Sequence, residues 1–392
     1  MKENSKNRVT VQDRTEPLQN NIPSVTAILL TALILVFSCA FFLSEKRTFS
    51  ESENRYLSSF PEFSFEDLKD GTYTEEIQTY LADHFPLRDL FMGLKAETEI
   101  ALGKREINGI YIADDGYLIE AYKKPKNTDK IVGNFKKFYE AVDREKVSVS
   151  LMLVPTASVI YRDKLPAFAQ ERDQMAERET IYERSGLPRA DCYEALMAAK
   201  DQQQLYYRTD HHWTSYGAYE AYRAYCGQAG IEPLTLDSFE KKEVTHDFKG
   251  TIYSKLNDGQ IGADTITIFE NPSNQLTVFY TDTDQTTDSL YNFDYLEKKD
   301  KYSMFLDNIH PLIEITNETA DSQRELVLIK DSYANAMVPF LVNHFKKVYV
   351  FDTRYYKQGP SSFIKDHPQV TDVLLLYNMN TIDTDLGIGG IY

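Results

Sequence analysis

Seven consecutive residues, Thr209-Asp210-His211-His212-Trp213-Thr214-Ser215, hold a carboxylate, two imidazoles, the only tryptophan of the chain and a hydroxyl pair suited to starting a helix. Much later, the apolar run Leu326-Val327-Leu328-Ile329 leads through Lys330 and Asp331 into Ser332 and Tyr333. A serine hydroxyl is a weak nucleophile until an imidazole takes its proton, and that imidazole needs a carboxylate to fix its tautomer and stabilise its charge. These residue types suit a Ser/His/Asp hydrolase or acyltransferase, with Ser332 as nucleophile, His212 as base and Asp210 as orienter.

The spacing selects His212 over His211. Leu205-Tyr206-Tyr207-Arg208 reads as a short strand that delivers the motif, and in an extended segment residues two apart share a side. Asp210 and His212 would then face each other while His211 points away. Adjacent histidines also suit a metal, but no His-Glu-x-x-His pattern or cysteine partner accompanies them, so no metal site is expected. A strand-to-helix turn capped by histidines is the purely structural alternative. On the other side, a serine where a strand meets a helix stands at the carboxyl edge of a sheet, beside the unpaired N–H groups of the helix start. Asn335 could add a donor for an oxyanion there, or simply cap the helix.

The elements that must position these residues read as an α/β pattern. Ile131, Phe135, Phe138 and Val142 lie on one helical face, and Val147 to Val154 is a buried strand ending at Pro155. Thr214 or Ser215 caps a helix carrying Tyr219, Tyr222 and Cys226. In the last third, strand-like runs at 326–329, 348–351 and 373–376 alternate with helix-like stretches at 333–345 and 361–367. Around 238–320 lies a β-rich insertion, whose Gly-rich junction Asp258-Gly259-Gln260-Ile261-Gly262 suggests a flap. Ile107 to Ile119 reads as a hairpin about Asp114-Asp115-Gly116.

Ahead of this body, residues 1–21 read as a flexible polar tail on the cytoplasmic side, and 22–43 as an apolar helix of about 33 Å, enough to cross a bilayer. Lys2, Lys6, Arg8 and Arg14 precede it, and Lys46, Arg47 and Arg55 follow, so charge orients it weakly; the reading places the tail inside and the body outside. A signal cleaved near Ser38 and Ala40, or a lipid-bearing Cys39, are the alternatives. Residues 44–105 read as a connector and helical region, with His84 at the break before Pro86, and 106–392 as the catalytic domain. The chain has 392 residues, 42% of them hydrophobic, enough for a sizeable core. A net charge of −17 argues against nucleic acid or anionic lipid as main partner. Of the three cysteines, only Cys192 and Cys226 could form a disulfide within the body, and spacing does not decide whether they do.

Thr209-Asp210-His211-His212-Trp213 resembles the signature of the DHHW family, and Asp331-Ser332-Tyr333 resembles the nucleophile block of SGNH-type esterases. The order, with the Asp-x-His-Trp block ahead of the serine block, is similar to that of the alginate O-acetylation proteins. The resemblance runs from Glu53-Asn54-Arg55 and Asp83-His84-Phe85-Pro86-Leu87-Arg88 to Asp352-Thr353-Arg354-Tyr355-Tyr356. It implies an SGNH-like three-layer α/β/α sandwich with circularly permuted motif order, behind an N-terminal transmembrane helix. It also implies the Ser332, His212 and Asp210 roles given above. Arg354 would hold the oxyanion or the glycan, or else make a surface ion pair. Trp213, His211 and Tyr333 are further candidates for oxyanion or substrate contact. Lys330 departs from the pattern, standing where the usual Gly-Asp-Ser has glycine.

The expected function is a membrane-anchored, outward-facing O-acyltransferase acting on a cell-surface or secreted polysaccharide. It needs an acyl donor, expected to be acetyl and supplied by an integral membrane acyltransferase, and no cofactor. A carbohydrate esterase with the same triad, or an inactive glycan-binding scaffold, are the competing readings.

Overall fold

A computed structural model describes residues 22–50, 55–256, 261–383 and 385–392. The expected tail at 1–21 and most of the Gly-rich junction near 258 lie outside the described residues. By internal contacts the described chain divides into a unit of residues 22–50 and 55–91 and a larger unit from Met92 to Tyr392.

In the smaller unit, Ile22–Leu43 forms one unbroken helix of 22 residues. Its segment Val25–Leu43 has a mean hydropathy of 2.6 and no buried residue, and it is long and apolar enough to cross a membrane. The helix Thr72–Asp83 ends at His84, as Pro86 requires, and Leu87 turns the chain at φ 59°. The His84 ring bonds the Ser58 carbonyl at 2.9 Å, while Asp83 accepts from the Ser58 amide at 2.9 Å. His84 thus closes a helix end.

The larger unit is built on a seven-stranded sheet. Its order is Gln285–Thr287, Leu276–Tyr280, Leu312–Asn317, Lys347–Phe351, Glu325–Lys330, Asp372–Asn378 and Ser148–Val154. The last four are parallel, and the first three add to their side antiparallel. Parallel strands are buried on both faces, which is why these runs are almost continuously apolar. Alternation sends Leu326 and Leu328 into one cluster of buried side chains and Val327 and Ile329 into another. The first cluster also holds Leu196 of helix Tyr193–Ala199 and Ala218 and Tyr222 of helix Ser215–Ala229. The second holds Phe135 and Phe138 of helix Thr128–Ala141 and Ile181 of helix Gln174–Ser185.

The stretch expected as a β-rich insertion divides in two. Glu240–Phe248 and Asp264–Glu270 pair with each other, whereas Leu276–Tyr280, Gln285–Thr287 and Leu312–Asn317 extend the main sheet. The expected hairpin gains a strand: Glu106–Ile107, Ile110–Ile112 and Leu118–Glu120 form a small antiparallel sheet, with Asp115 at φ 57° in the turn. Cys192 and Cys226 are both buried and both free thiols.

Candidate active site

The parallel strand Glu325–Lys330 ends at the carboxyl edge of the sheet, where Ser332 begins a short 3₁₀ turn, Ser332–Ala336. Asp331 fastens this turn. Its carboxylate accepts from the Tyr333 amide at 3.0 Å, the Asn378 amide at 2.7 Å and the Thr381 hydroxyl at 2.6 Å, so the serine loop is tied to the neighbouring strand. Lys330 is an ordinary strand residue in register with Leu376, and its backbone needs no positive φ. A side chain is therefore tolerated where the resembling pattern has glycine. Its buried ammonium lies 3.9 Å from Asp352, and burial pushes its pKa down.

The Asp210–His212 block sits in a loop, which corrects the expected strand at 205–208. A single bridge pairs Tyr206 with Trp213, the Tyr207 amide bonds the His212 carbonyl at 3.2 Å, and the residues between them turn back on themselves. Asp210 stabilises the turn by accepting from the His212 amide at 3.0 Å. This bond, rather than strand alternation, brings Asp210 and His212 together. It also puts His211 on the same side: the two imidazoles lie with centroids 3.9 Å apart at 37° to each other, against the expectation that His211 points away.

Ser332, His212 and Asp210 form one hydrogen-bonded chain. His212 Nε2 lies 2.7 Å from Ser332 Oγ, and His212 Nδ1 lies 2.6 Å from Asp210 Oδ1. The other carboxylate oxygen accepts from the Thr251 amide at 2.7 Å and the Thr251 hydroxyl at 2.9 Å. Burial raises the Asp210 carboxyl, but the charges of His211 and His212 and the bonds from His212 and Thr251 outweigh it and hold it well below the usual carboxylate range. Burial, and then His211, pushes the His212 imidazole down to about 4 against the opposing pull of Asp210. At neutral pH the ring is uncharged and able to take the serine proton.

Several supporting residues were not legible in the sequence. Tyr302 stacks on the His212 ring at 3.8 Å and 8° and donates to the Ser332 carbonyl at 3.2 Å, gripping both loops. Thr251 and Gly250 complete the Asp210 cradle; a Cβ on Gly250 would stand 2.3 Å from the Asp210 carboxylate. Asp264 accepts from the Thr209 amide at 2.8 Å and its hydroxyl at 2.6 Å, holding the loop just ahead of Asp210. The available signal was the clustering of Gly250-Thr251 after a strand, which reads equally as an ordinary turn.

The remaining candidates separate. Trp213 and Tyr333 are buried and join the two loops, Trp213 Nε1 donating to the Tyr333 carbonyl at 2.8 Å and the Tyr333 hydroxyl donating to the His211 carbonyl. Asn335 is buried, and its side-chain oxygen has no hydrogen-bond partner among the described residues. Arg354 donates to Asp352 at 2.8 Å and 2.5 Å, and none of its hydrogen bonds reaches the Ser332–His212–Asp210 chain. Donor atoms of Asp210, His211 and His212 lie within 4.8 Å of one another, a spacing a metal could use. However, both His212 nitrogens and both Asp210 oxygens are already engaged within the chain.

The molecule is thus a mixed α/β protein that presents a serine–histidine–aspartate chain at the carboxyl edge of a largely parallel sheet. The chain belongs to the DHHW protein family, which matches residues 53–120 and 113–351. It is similar to the probable alginate O-acetylase AlgJ of Pseudomonas syringae pv. tomato, 25% identical over 174 residues, or 42% of this chain. The match spans 44% of that protein's length. Among solved structures it is similar to a DHHW family protein from Eubacterium siraeum, with a TM-score of 0.63 at 27% identity over 72% of this chain and 95% of the other. It also shares the fold of Bacillus cereus PatB1, in a structure that carries a sulfonyl adduct, with a TM-score of 0.59 at 18% identity over 72% of this chain and 98% of that one.

Proposed function

We propose that this protein is a membrane-anchored O-acyltransferase whose body stands outside the cytoplasm and acylates a polysaccharide through Ser332, His212 and Asp210. The observation that carries the reading is the continuous chain from Ser332 Oγ through His212 to Asp210, at 2.7 Å and 2.6 Å. Similarity to a probable alginate O-acetylase supports acetyl as the acyl group and a polysaccharide as its destination. The fold reading that goes with it is an SGNH-like sandwich of a sheet between helical layers, with the base block ahead of the serine block. The Ile22–Leu43 helix serves as the anchor.

The chemistry follows from the atoms. His212 Nε2 takes the Ser332 proton as Oγ attacks the acyl carbonyl, and Asp210 holds the Nδ1–H tautomer and balances the imidazolium. The Asn335 side-chain NH2, on the same 3₁₀ turn as Ser332, donates to the tetrahedral oxyanion. The donor alcohol leaves with the proton from His212. An acceptor hydroxyl then repeats the sequence in reverse and releases Ser332. Acyl groups arrive from a donor protein in the same membrane, and no cofactor takes part. Arg354 belongs to the charge cluster with Asp352 and Lys330.

The test uses the full chain in detergent with 4-nitrophenyl acetate and intact-mass detection. A single acetyl adduct that disappears in Ser332→Ala is expected, with nitrophenol release falling about 10⁴-fold or more. Equal release by the two proteins, with no adduct in either, refutes the reading.

A further inference from the structure

His211 lies beside the reacting groups and has no part in the triad. Asp210 Oδ1 accepts from the His212 amide and His212 Nδ1, and Oδ2 accepts from the Thr251 amide and the Thr251 hydroxyl. The carboxylate is saturated, and the single hydroxyl proton of Thr251 is committed to it. Thr251 Oγ1 therefore acts as acceptor toward His211 Nδ1, 2.7 Å away. In the neutral ring this places the proton on Nδ1 and leaves Nε2 an acceptor.

The position of Nε2 follows from the same contacts. His211 Nδ1 and His212 Nδ1 lie 3.6 Å and 2.6 Å from the same oxygen, Asp210 Oδ1. Two rings that turn their Nδ1 edges to one carboxylate, with centroids 3.9 Å apart and planes 37° from parallel, send their Nε2 edges out on the same side. His212 Nε2 meets Ser332 on that side. The His211 side chain is 27% exposed against 7% for His212, so its free edge is open to a substrate. No hydrogen bond to His211 Nε2 is made among the described residues.

We propose that the His211–His212 pair reads a vicinal diol: the hydroxyl being acylated gives its proton to His212, and its neighbour on the sugar ring donates a hydrogen bond to His211 Nε2. This rests on the acyltransferase reading above and deepens it by naming the acceptor class. In the transfer step the reacting oxygen attacks the Ser332 ester carbon while its proton passes to His212 Nε2. The carbon to Ser332 Oγ bond then breaks, and the same proton returns to Ser332. The neighbouring hydroxyl keeps its proton throughout. A lone hydroxyl, or water, leaves His211 unused.

The experiment follows discharge of the acetylated full-length protein, prepared in detergent with 4-nitrophenyl acetate, by trans-cyclohexane-1,2-diol and by cyclohexanol at equal concentration. Wild type is expected to favour the diol at least tenfold per hydroxyl. His211→Asn keeps an amide donor for Thr251 but has nothing at the Nε2 position, and should lose that preference. His211→Gln, whose amide oxygen reaches the Nε2 position, should recover part of it. A purely structural His211 predicts instead that acetylation and both discharge rates fall in parallel with the preference intact. That result overturns the proposal, as does equal discharge by the two alcohols in wild type. An adduct on Ser332 without diol preference sinks this inference alone, whereas no adduct at all sinks it together with the acyltransferase reading.

Discussion

Two loops meet at Ser332, and each is organised by a buried aspartate used in a different way. In the loop 209–214, Asp210 gathers the amide and Nδ1 of His212 and the amide and hydroxyl of Thr251, next to two imidazoles, and is held ionised. In the loop 331–336, Asp331 gathers the amides of Tyr333 and Asn378 and the hydroxyl of Thr381, and burial raises its pKa. Both carboxylates are satisfied, as buried polar groups must be. What differs is the partner. Asp210 faces a titratable imidazole, whereas every hydrogen-bond donor to Asp331 is a backbone amide or a hydroxyl. One carboxylate is paired with a titratable ring, and the other fixes the loop that carries Ser332.

The widest separation between the two comes from isosteric neutralisation. Asp210→Asn should lower acylation by about 10³–10⁴-fold while leaving the fold intact, because the amide cannot hold the Nδ1–H tautomer. A loss of tenfold or less in nitrophenyl acetate kinetics would remove Asp210 from the triad. Gly250→Ala should cost about 100-fold, since its Cβ would stand 2.3 Å from the Asp210 carboxylate and displace it. Near-wild-type activity in that variant would show that the Asp210 cradle need not be tight.

The pH profile sharpens the same contrast. The protonated His212 ring cannot act as base, and its pKa is pushed down to about 4, so acylation should hold as pH falls to about 5 and fail through about 4. An acid limb at the ordinary value of 6.5 would mean a solvated ring. Stability should respond with the same sign. Between 6.5 and about 4 the unfolded imidazole binds a proton that the folded one refuses, so this group makes the fold less stable as pH drops through that window.

Asp331→Ala should show its main effect in stability. It strands two amides and a hydroxyl at the end of the serine strand, at a cost of about 2–4 kcal/mol by urea unfolding. Asp331→Asn keeps the shape and one acceptor and should lose less than Asp331→Ala. If Asp331→Asn instead abolished acylation with unchanged stability, the division of labour between the two aspartates would be wrong.

Much of the scaffold was legible in the sequence because continuous apolar runs between amphipathic segments have few other solutions. The strands at 148–154, 325–330, 347–351 and 372–378 fall close to where Val, Leu and Ile concentrate. The helix Ser215–Ala229 begins after Thr214, whose hydroxyl accepts from the Gly217 amide at 3.4 Å, and ends at Gly230 with φ 65°. The base loop was misread as a strand because Tyr206 and Tyr207 favour extended backbone, and nothing local shows that Asp210 will turn the chain by capturing the His212 amide.

The sequence by itself determined the residue types that could do chemistry, the apolar helix at 22–43, and the order of the histidine block and the serine block. Those are properties of composition and local pattern. Only the tertiary structure decided that His211 lies against His212, that Tyr302 grips both loops, and that Gly250 and Thr251 enclose Asp210. Each of these joins segments 30 or more residues apart or depends on a turn closed by a side chain. Contacts between distant segments are set by how strands and helices stack, and a period of two or of 3.6 in a single segment carries no record of what will be laid across it.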